Sequence, residues 1–383
     1  MTKIDVLLPV YNCEKYITSA LKSIQDQTIR DIRIIVVDDG SADNTGPLVL
    51  AESQSDARIV YHRQDNAGIV VALNNGLALC DAPFIARMDG DDISCPDRFA
   101  KELAYLEANP DCVAVSGRAR HIDQNSSPLG TISTRKESRN ADPCAIPAVE
   151  PYLLHPMLMA RREALIQVGG YRDVYQSEDS DLYWRLSDIG SLYVLPEVVG
   201  DYRIHTDSVS SSSVVNGRQQ AIWSQLAALS EQRRRKKEND LRFTKDFAND
   251  VKTRRGLAQA VAVASRGLSQ SETAWFGCAV SAKLLELSYY RPYEPDTQDI
   301  AFIRHAIASD PDLKSRKSYG VIREAVLSCA VRLVGAGRYK DAVTLTGTNN
   351  IPKLIGRSVF RHILPKGLAE KIKQLVKAKK HIL

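Results

Sequence analysis

Short apolar runs alternate with stretches of helical periodicity through the first 115 residues, and two of those runs end in acidic turns. The runs at 4–10, 32–37, 58–61 and 84–88 have the length and apolar content of strands buried on both faces. Between them Tyr16, Ile17, Ala20, Leu21 and Ile24 fall on one helical face. Residues 68–80 read as a second helix, and Pro96 opens a third that runs to Leu106. Repeated strand–helix–strand units leave few topologies, and the expected one is a mostly parallel, doubly wound α/β sheet. In such sheets ligands sit beyond the carboxyl ends of the strands. The second strand runs into Asp38-Asp39-Gly40-Ser41 and the fourth into Asp89-Gly90-Asp91-Asp92, so both acidic turns are expected at that edge.

From 118 to 150 polar residues and prolines replace the pattern, which predicts a long surface segment or lid. Helices are expected over 161–168, closed by Gly169-Gly170, and over 181–189, with strands over 191–195 and 198–205. Four serines at 210–213 mark a boundary near 215. Beyond it Ala, Leu, Arg, Lys and Gln at helical spacing predict a helical region over 216–383.

Charge and cysteine content narrow the function classes. The net charge of +5 is concentrated at one end, because residues 351–383 carry nine Lys/Arg and one acid while residues 1–350 sum to −3. That distribution speaks against a nucleic-acid-binding body and for a tail with a partner of its own. Seven scattered cysteines without a Cys-x-x-Cys pair point to neither a zinc site nor a disulfide framework. The N-terminus lacks the pattern of a secretory signal and no apolar stretch is long enough to span a bilayer, so a cytoplasmic location is expected.

Three aspartates in four residues, on a turn after a buried strand, are a ligand set for Mg²⁺ or Mn²⁺ that leaves positions open for phosphate oxygens. Such a cation neutralises a departing diphosphate. A lone Asp-x-Asp is more often a solvated turn or a helix cap; the second acidic turn on the same sheet favours the metal. Glu178-Asp179-Ser180-Asp181 precedes an apolar helical stretch, where one acid is expected to cap the helix and another to serve as a general base.

The segments Val6-Leu7-Leu8-Pro9-Val10-Tyr11-Asn12, Val36-Val37-Asp38-Asp39-Gly40-Ser41 and Arg87-Met88-Asp89-Gly90-Asp91-Asp92 resemble the ordered signatures of glycosyltransferase family 2. The likeness continues through His155-Pro156, Gly169-Gly170-Tyr171, Glu178-Asp179-Ser180-Asp181-Leu182 and Tyr202-Arg203-Ile204-His205. It spans roughly 3–210 and implies the nucleotide-sugar-binding GT-A fold and an inverting, metal-dependent hexosyltransferase of cell-surface polysaccharide or lipopolysaccharide synthesis. By this resemblance 1–215 is the catalytic domain, with 1–115 its nucleotide-sugar half and 116–215 its acceptor and catalytic-base half.

The same resemblance implies roles for single residues. Pro9, Val10, Tyr11 and Glu14 would line the nucleotide pocket, with Tyr11 against the base and Asp39 accepting a hydrogen bond from it. Asp89 and Gly90 would face the nucleotide diphosphate. Asp91, Asp89 and His205 would hold Mn²⁺ or Mg²⁺, supported by Asp92. Asp179 would be the catalytic base, with Glu178, His155 and Arg87 on the acceptor side. Arg87 and Arg203 have two candidate partners, phosphate or the aspartates themselves, while Tyr183 and Trp184 could stack on sugar, although aromatics at helical spacing are more often core.

The expected donor is a UDP-sugar and the acceptor a glycan or lipid-linked hydroxyl, with no nucleic-acid partner. In the tail, Leu368, Ile372, Leu375 and Val376 share a helical face ringed by lysines, so 364–383 is expected either to lie on an anionic membrane or to dock on the protein. Residues 216–383 offer a homodimer interface as a further use. Two rival readings stand beside the transferase. A sugar nucleotidyltransferase would need a Gly-rich turn after the first strand, where this chain has Pro9-Val10-Tyr11-Asn12-Cys13-Glu14. A non-catalytic assembly or carbohydrate-binding protein would bind no nucleotide.

Overall fold

The computed structural model describes residues 2–204, 214–290, 294–310, 313–315 and 318–362. Strands β1 (Ile4–Val10), β2 (Ile32–Asp38), β3 (Ile59–Arg63) and β4 (Phe84–Arg87) form a parallel group in the order β3-β2-β1-β4. Their side chains alternate across the pleat. Val6, Leu8, Ile34 and Val36 enter one core; Leu7, Ile35 and Val37 enter the other. Burial on both faces is why these strands read as unbroken apolar runs.

Helices α1 (Ile17–Gln25), α2 (Thr45–Ser55), α3 (Ile69–Leu79) and α4 (Arg98–Ala108) connect or follow these strands. Ile17, Leu21, Phe99 and Leu103 fill the first core, while Ala72, Leu73 and Leu77 of α3 cover the other. The α/β sheet is therefore as expected in its parallel half.

The remaining strands are β5 (Ile93–Ser94), β6 (Cys112–Ile122), β7 (Pro128–Ile132), β8 (Leu158–Arg161) and β9 (Ser191–Arg203). They extend the order beyond β4 as β8-β6-β9-β5, with β7 on β6. The pairs β4–β8, β6–β8, β5–β9 and β6–β7 are antiparallel and β6–β9 is parallel, so this half of the sheet is mixed.

Two expectations need correction here. The segment 118–150 is not all surface loop, since β6 runs to Ile122 and β7 follows it. Arg118 and Arg120 alternate with buried Ala119, and their charge hid the strand period. Residues 191–195 and 198–203 form one strand rather than two. Pro196 interrupts the sequence signal, but the ladder to β6 shifts register between Ser116 and Arg118, opposite that proline.

Helices α5 (Arg162–Gln167) and α6 (Glu178–Ser187) pack Ala164, Leu165, Leu182, Tyr183 and Leu186 into the second core. The packing then divides the chain into two units, and one crossing between them falls within the serine run. One compact unit comprises Met1–Pro143, Val149–Ser211 and Ala227–Ala248; the other comprises Cys144–Ala148, Ser212–Leu226 and Asn249–Leu383. The chain crosses again between Leu226 and Ala227 and between Ala248 and Asn249. Residues 227–248 join the first unit, where Arg172 pairs with Asp240 at 2.9 Å and donates to Ser230 at 3.0 Å.

The described part of 216–383 is helical, with α7 (Val214–Arg235), α8 (Lys245–Lys252), α9 (Leu257–Ala264), α10 (Gln270–Tyr290), α11 (Thr297–Ser309), α12 (Tyr319–Gly335), α13 (Tyr339–Thr346) and α14 (Ile351–His362). Within the second unit Asp296 and Asp299 form a capping box at the start of α11, and Arg218 donates to Asp299 at 3.0 Å. Among the described residues no helix is long and apolar enough to cross a membrane. His205 and the tail 364–383 lie outside the described residues.

Candidate active site

The parallel order places the ends of β2, β1 and β4 side by side, so Asp38-Asp39, the loop after Val10 and the Asp89–Asp92 turn meet at one edge of the first unit. Carboxylate oxygens of Asp89, Asp91 and Asp92 lie within 4.8 Å of one another. Gly90 sits so close to β1 that a Cβ there would meet Val10 Cγ1 at 2.8 Å and Cys13 Sγ at 3.3 Å. Only glycine lets the turn press against β1 in this way.

Two arginines hold the turn. Arg87, buried, forms a two-pronged pair with Asp89, at 2.8 Å and 2.5 Å. Arg203, 2% exposed, donates its backbone N–H to Asp92 at 2.8 Å and its Nε to the Asp91 carbonyl at 2.7 Å. Its Nη1 reaches the Asp123 carbonyl, and its guanidinium lies 4.5 Å from the Tyr16 ring centre. Both arginines thus serve the aspartates.

Burial pushes the Asp89 and Asp92 carboxyls above the usual range. Asp91 adds to both shifts, and Arg87 opposes them. Asp92 is 1% exposed, and among the described residues its buried Oδ2 has no hydrogen-bond partner. A divalent cation fits this donor set. It would supply the charge that the buried carboxylates lack and would engage oxygen ligands at hard-cation spacing.

The nucleotide-side residues separate into exposed and buried. Tyr11 is 51% exposed, beside Asn12 in a left-handed turn at φ 51°. Pro9 and Val10 are buried in the sheet, and the Val10 carbonyl already accepts from Asp39 N–H at 2.9 Å. Glu14 Oε2 accepts from the Asn44 backbone and side chain at 3.0 and 2.9 Å, which ties the β1 loop to the start of α2. Asp39 accepts from Gln64, Ala67 N–H and Gly68 N–H at 2.8, 2.8 and 2.9 Å. A carboxylate offers about four acceptor positions, so Oδ2 keeps one for a further donor.

Among the residues expected on the acceptor side, α6 begins three residues earlier than the sequence period indicates, which puts Glu178, Asp179 and Asp181 in its first turn. Asp181 is fully buried between Arg172 and Arg185, with Arg185 at 2.7 Å, and is structural. Asp179 accepts the Ser180 N–H at 2.7 Å. Burial lifts its carboxyl to about 6, against the Ser180 N–H and with help from the Glu150 charge. Glu178 rises to about 7 through burial and the charge of Asp179, and it feels both Arg87 and Asp89. His155 is buried, bonds the Tyr171 hydroxyl at 2.9 Å, and is held neutral by burial and by Arg87. Tyr183 and Trp184 are core side chains, as expected.

Several supporting residues left little trace in the sequence. Arg98 is fully buried, pairs with Glu102 at 3.1 Å and donates to the Arg87 carbonyl at 2.7 Å, which fixes the end of β4. Its i,i+4 spacing from Glu102 is a signal, but one that ordinarily marks a surface pair. Asn74 of α3 donates to the Tyr171 carbonyl and accepts its N–H, at 2.8 and 2.9 Å. A Cβ on Gly170 would meet that Asn74 oxygen at 2.6 Å, so the glycine pair has a packing reason as well as a turn reason.

The profile described as "Glycosyl transferase family 2" matches residues 5–169. The chain is similar to the amylovoran biosynthesis glycosyltransferase AmsE of Erwinia amylovora, 27% identical over 216 residues, covering 54% of this chain and 78% of AmsE. It is also similar to the O-antigen biosynthesis glycosyltransferase WbnJ of Escherichia coli, 28% identical over 218 residues, covering 55% of this chain and 83% of WbnJ. Among solved structures, S. aureus TarS 1–349 in complex with UDP aligns over 91% of each chain at 15% identity and a TM-score of 0.48.

Proposed function

On the premise that this chain belongs to glycosyltransferase family 2 through the GT-A domain that holds residues 5–169, we propose that it is an inverting hexosyltransferase acting in polysaccharide or lipopolysaccharide synthesis. The observation that carries this reading is the convergence of two unlike acidic groups: a compact carboxylate triad at 89–92, and at 178–179 a pair whose proton affinity is raised.

The donor is a hexose or N-acetylhexosamine carried on UDP. Tyr11 stacks on the base, and the open acceptor position of Asp39 takes a base N–H. Asp91 and Asp89, steadied by Asp92, hold Mn²⁺ or Mg²⁺, and the ion supplies positive charge where the diphosphate departs. His205 remains a proposed further ligand outside the described residues.

Asp179 accepts the proton of an acceptor hydroxyl on a glycan or lipid-linked sugar. The oxygen attacks the anomeric carbon as the bond to the diphosphate breaks, and UDP leaves. Burial suits Asp179 to this work, because a base titrating near 6 is ionised at neutral pH yet basic enough to pull on a hydroxyl. Arg87 and His155 fix the floor, so alignment and fixed charge supply much of the acceleration. The basic tail places the enzyme at the cytoplasmic face of a membrane with anionic lipids, where lipid-linked acceptors reside.

The test is a thermal-stabilisation screen of UDP-, dTDP- and GDP-sugars with and without Mn²⁺. The expected result is stabilisation by one UDP-sugar that depends on Mn²⁺. Absence of stabilisation by every nucleotide would support a non-catalytic binding protein instead, and formation of a nucleotide sugar from a triphosphate would support the nucleotidyltransferase.

A further inference from the structure

The two ends of the acidic turn are joined through one residue that lies outside every signature. Arg98, the first residue of α4, is 0% exposed. Upstream of the turn its Nη2 donates at 2.7 Å to the carbonyl of Arg87, the last residue of β4. Downstream its Nη1 donates to Ser94 Oγ in β5 at 3.1 Å. That hydroxyl donates its own hydrogen to Met88 Sδ at 3.1 Å, so Ser94 is tied back to the upstream end as well. Nη2 also reaches the carbonyl of Leu158, where β8 begins, at 3.3 Å. Glu102, equally buried, accepts from Nε at 3.1 Å. The downstream end has its own anchors: Ser94 N–H donates to Ser23 Oγ at 3.0 Å, and the next carbonyl, of Cys95, accepts from Gln27 at 2.7 Å.

A buried pair of this kind is a poor source of stability, since apolar side chains of similar volume often serve as well without the cost of desolvation. What the guanidinium supplies is shape: its rigid fork of donors fixes acceptors on β4, β5 and β8 relative to one another. We infer, on the reading that this turn holds the cation, that Arg98 is a positioning residue for it: by clamping Arg87 and Ser94 together it sets the spacing of the carboxylates between them, and with it the affinity for a divalent ion. Arg87 steadies Asp89 and Arg203 bonds Asp91 and Asp92; of the three arginines, Arg98 is the one whose bonds reach both ends of the turn. Mg²⁺ tolerates little departure from octahedral geometry, so ends that drift apart cost affinity.

Arg98→Lys keeps a cation beside Glu102 and removes the fork. UDP is titrated calorimetrically into the full chain at a series of Mn²⁺ concentrations and without metal. The Mn²⁺ concentration that gives half the gain in UDP affinity rises roughly 10-fold in the variant, the effect of losing a partner outside the ligand set, while UDP affinity without metal is unchanged. A residue that only stabilises the fold would lower the melting temperature and leave the Mn²⁺ dependence where it was; that result overturns the inference, and so does an equal loss of affinity with and without metal. If Arg98→Lys fails to fold, Ser94→Ala decides, because it frees the downstream end and leaves Arg98 on Arg87 and Glu102. A raised Mn²⁺ requirement at unchanged metal-free affinity supports the clamp, and a wild-type requirement overturns it. A wild-type chain whose UDP affinity does not respond to Mn²⁺ removes the metal reading of the turn itself, whereas a response that Arg98→Lys leaves unaltered removes the clamp alone.

Discussion

The acidic turn at 89–92 and the acidic helix start at 178–181 have nearly the same composition and opposite electrostatic fates. On the turn, three carboxylates crowd within 4.8 Å, and one arginine, Arg87, pairs with Asp89. On the helix, the 100° step per residue sends the acids to different faces. Asp181 points into the protein and is neutralised by Arg172 and Arg185, while Glu178 and Asp179 are left with raised proton affinity. Backbone geometry, more than the number of acids, thus separates a cation-seeking cluster from a base and a structural ion pair.

The largest expected effect tests the helix. Asp179→Asn lowers transfer by roughly 10²–10⁴-fold, the usual worth of a general base, and leaves nucleotide-sugar binding nearly intact. Single-turnover kinetics beside a binding titration measure both. Equal loss of binding and turnover would erase the distinction between the two clusters.

Two positions downstream the outcome differs in kind. Asp181→Ala leaves Arg172 and Arg185 buried without their shared partner and costs about 3–5 kcal/mol of stability. Denaturant unfolding reads that loss, while donor KM of the folded fraction stays near wild type. A stable variant would place Asp181 with the functional acids.

On the turn, Asp91→Ala weakens nucleotide binding in Mn²⁺ at least ~10-fold, since loss of even an outer-shell partner does that much. Calorimetric titration with UDP, with and without the ion, is the measurement. Unchanged affinity with Mn²⁺ present would remove the metal from the turn. Gly90→Ala is milder. Its added methyl meets Val10 Cγ1 at 2.8 Å and costs about 1 kcal/mol, seen as a lower melting temperature.

The smallest effect is one of pH. Asp179 titrates at about 6 in the folded protein, above its ordinary value of 3.8. Its protonated form therefore favours folding, and that contribution is complete below the ordinary value and lost as pH rises through 6. Asp179→Asn should melt slightly higher than wild type at about pH 8, and the difference should shrink near pH 4. In wild type, turnover rises as pH increases through 6, because only the ionised carboxylate takes a proton.

The parallel half of the sheet and its acidic edge were legible in the residues, because runs such as Ile4–Val10 carry a local period that burial on both faces imposes. The mixed half was less so: β6 hides behind Arg118 and Arg120, and β9 behind Pro196. These departures from pattern are absorbed by a bulge and by neighbouring strands that lie far away along the chain. The same holds within the site. Sequence spacing determined that Asp89, Asp91 and Asp92 share a turn, since residues so close along the chain cannot separate. Whether Arg203 bonds the turn and which acid of 178–181 is cancelled were decided by tertiary structure. Each depends on partners many residues distant, such as Arg203 on Asp92. Burial and charge pairing, the two terms that fix a carboxylate's role, exist once those partners have been brought together.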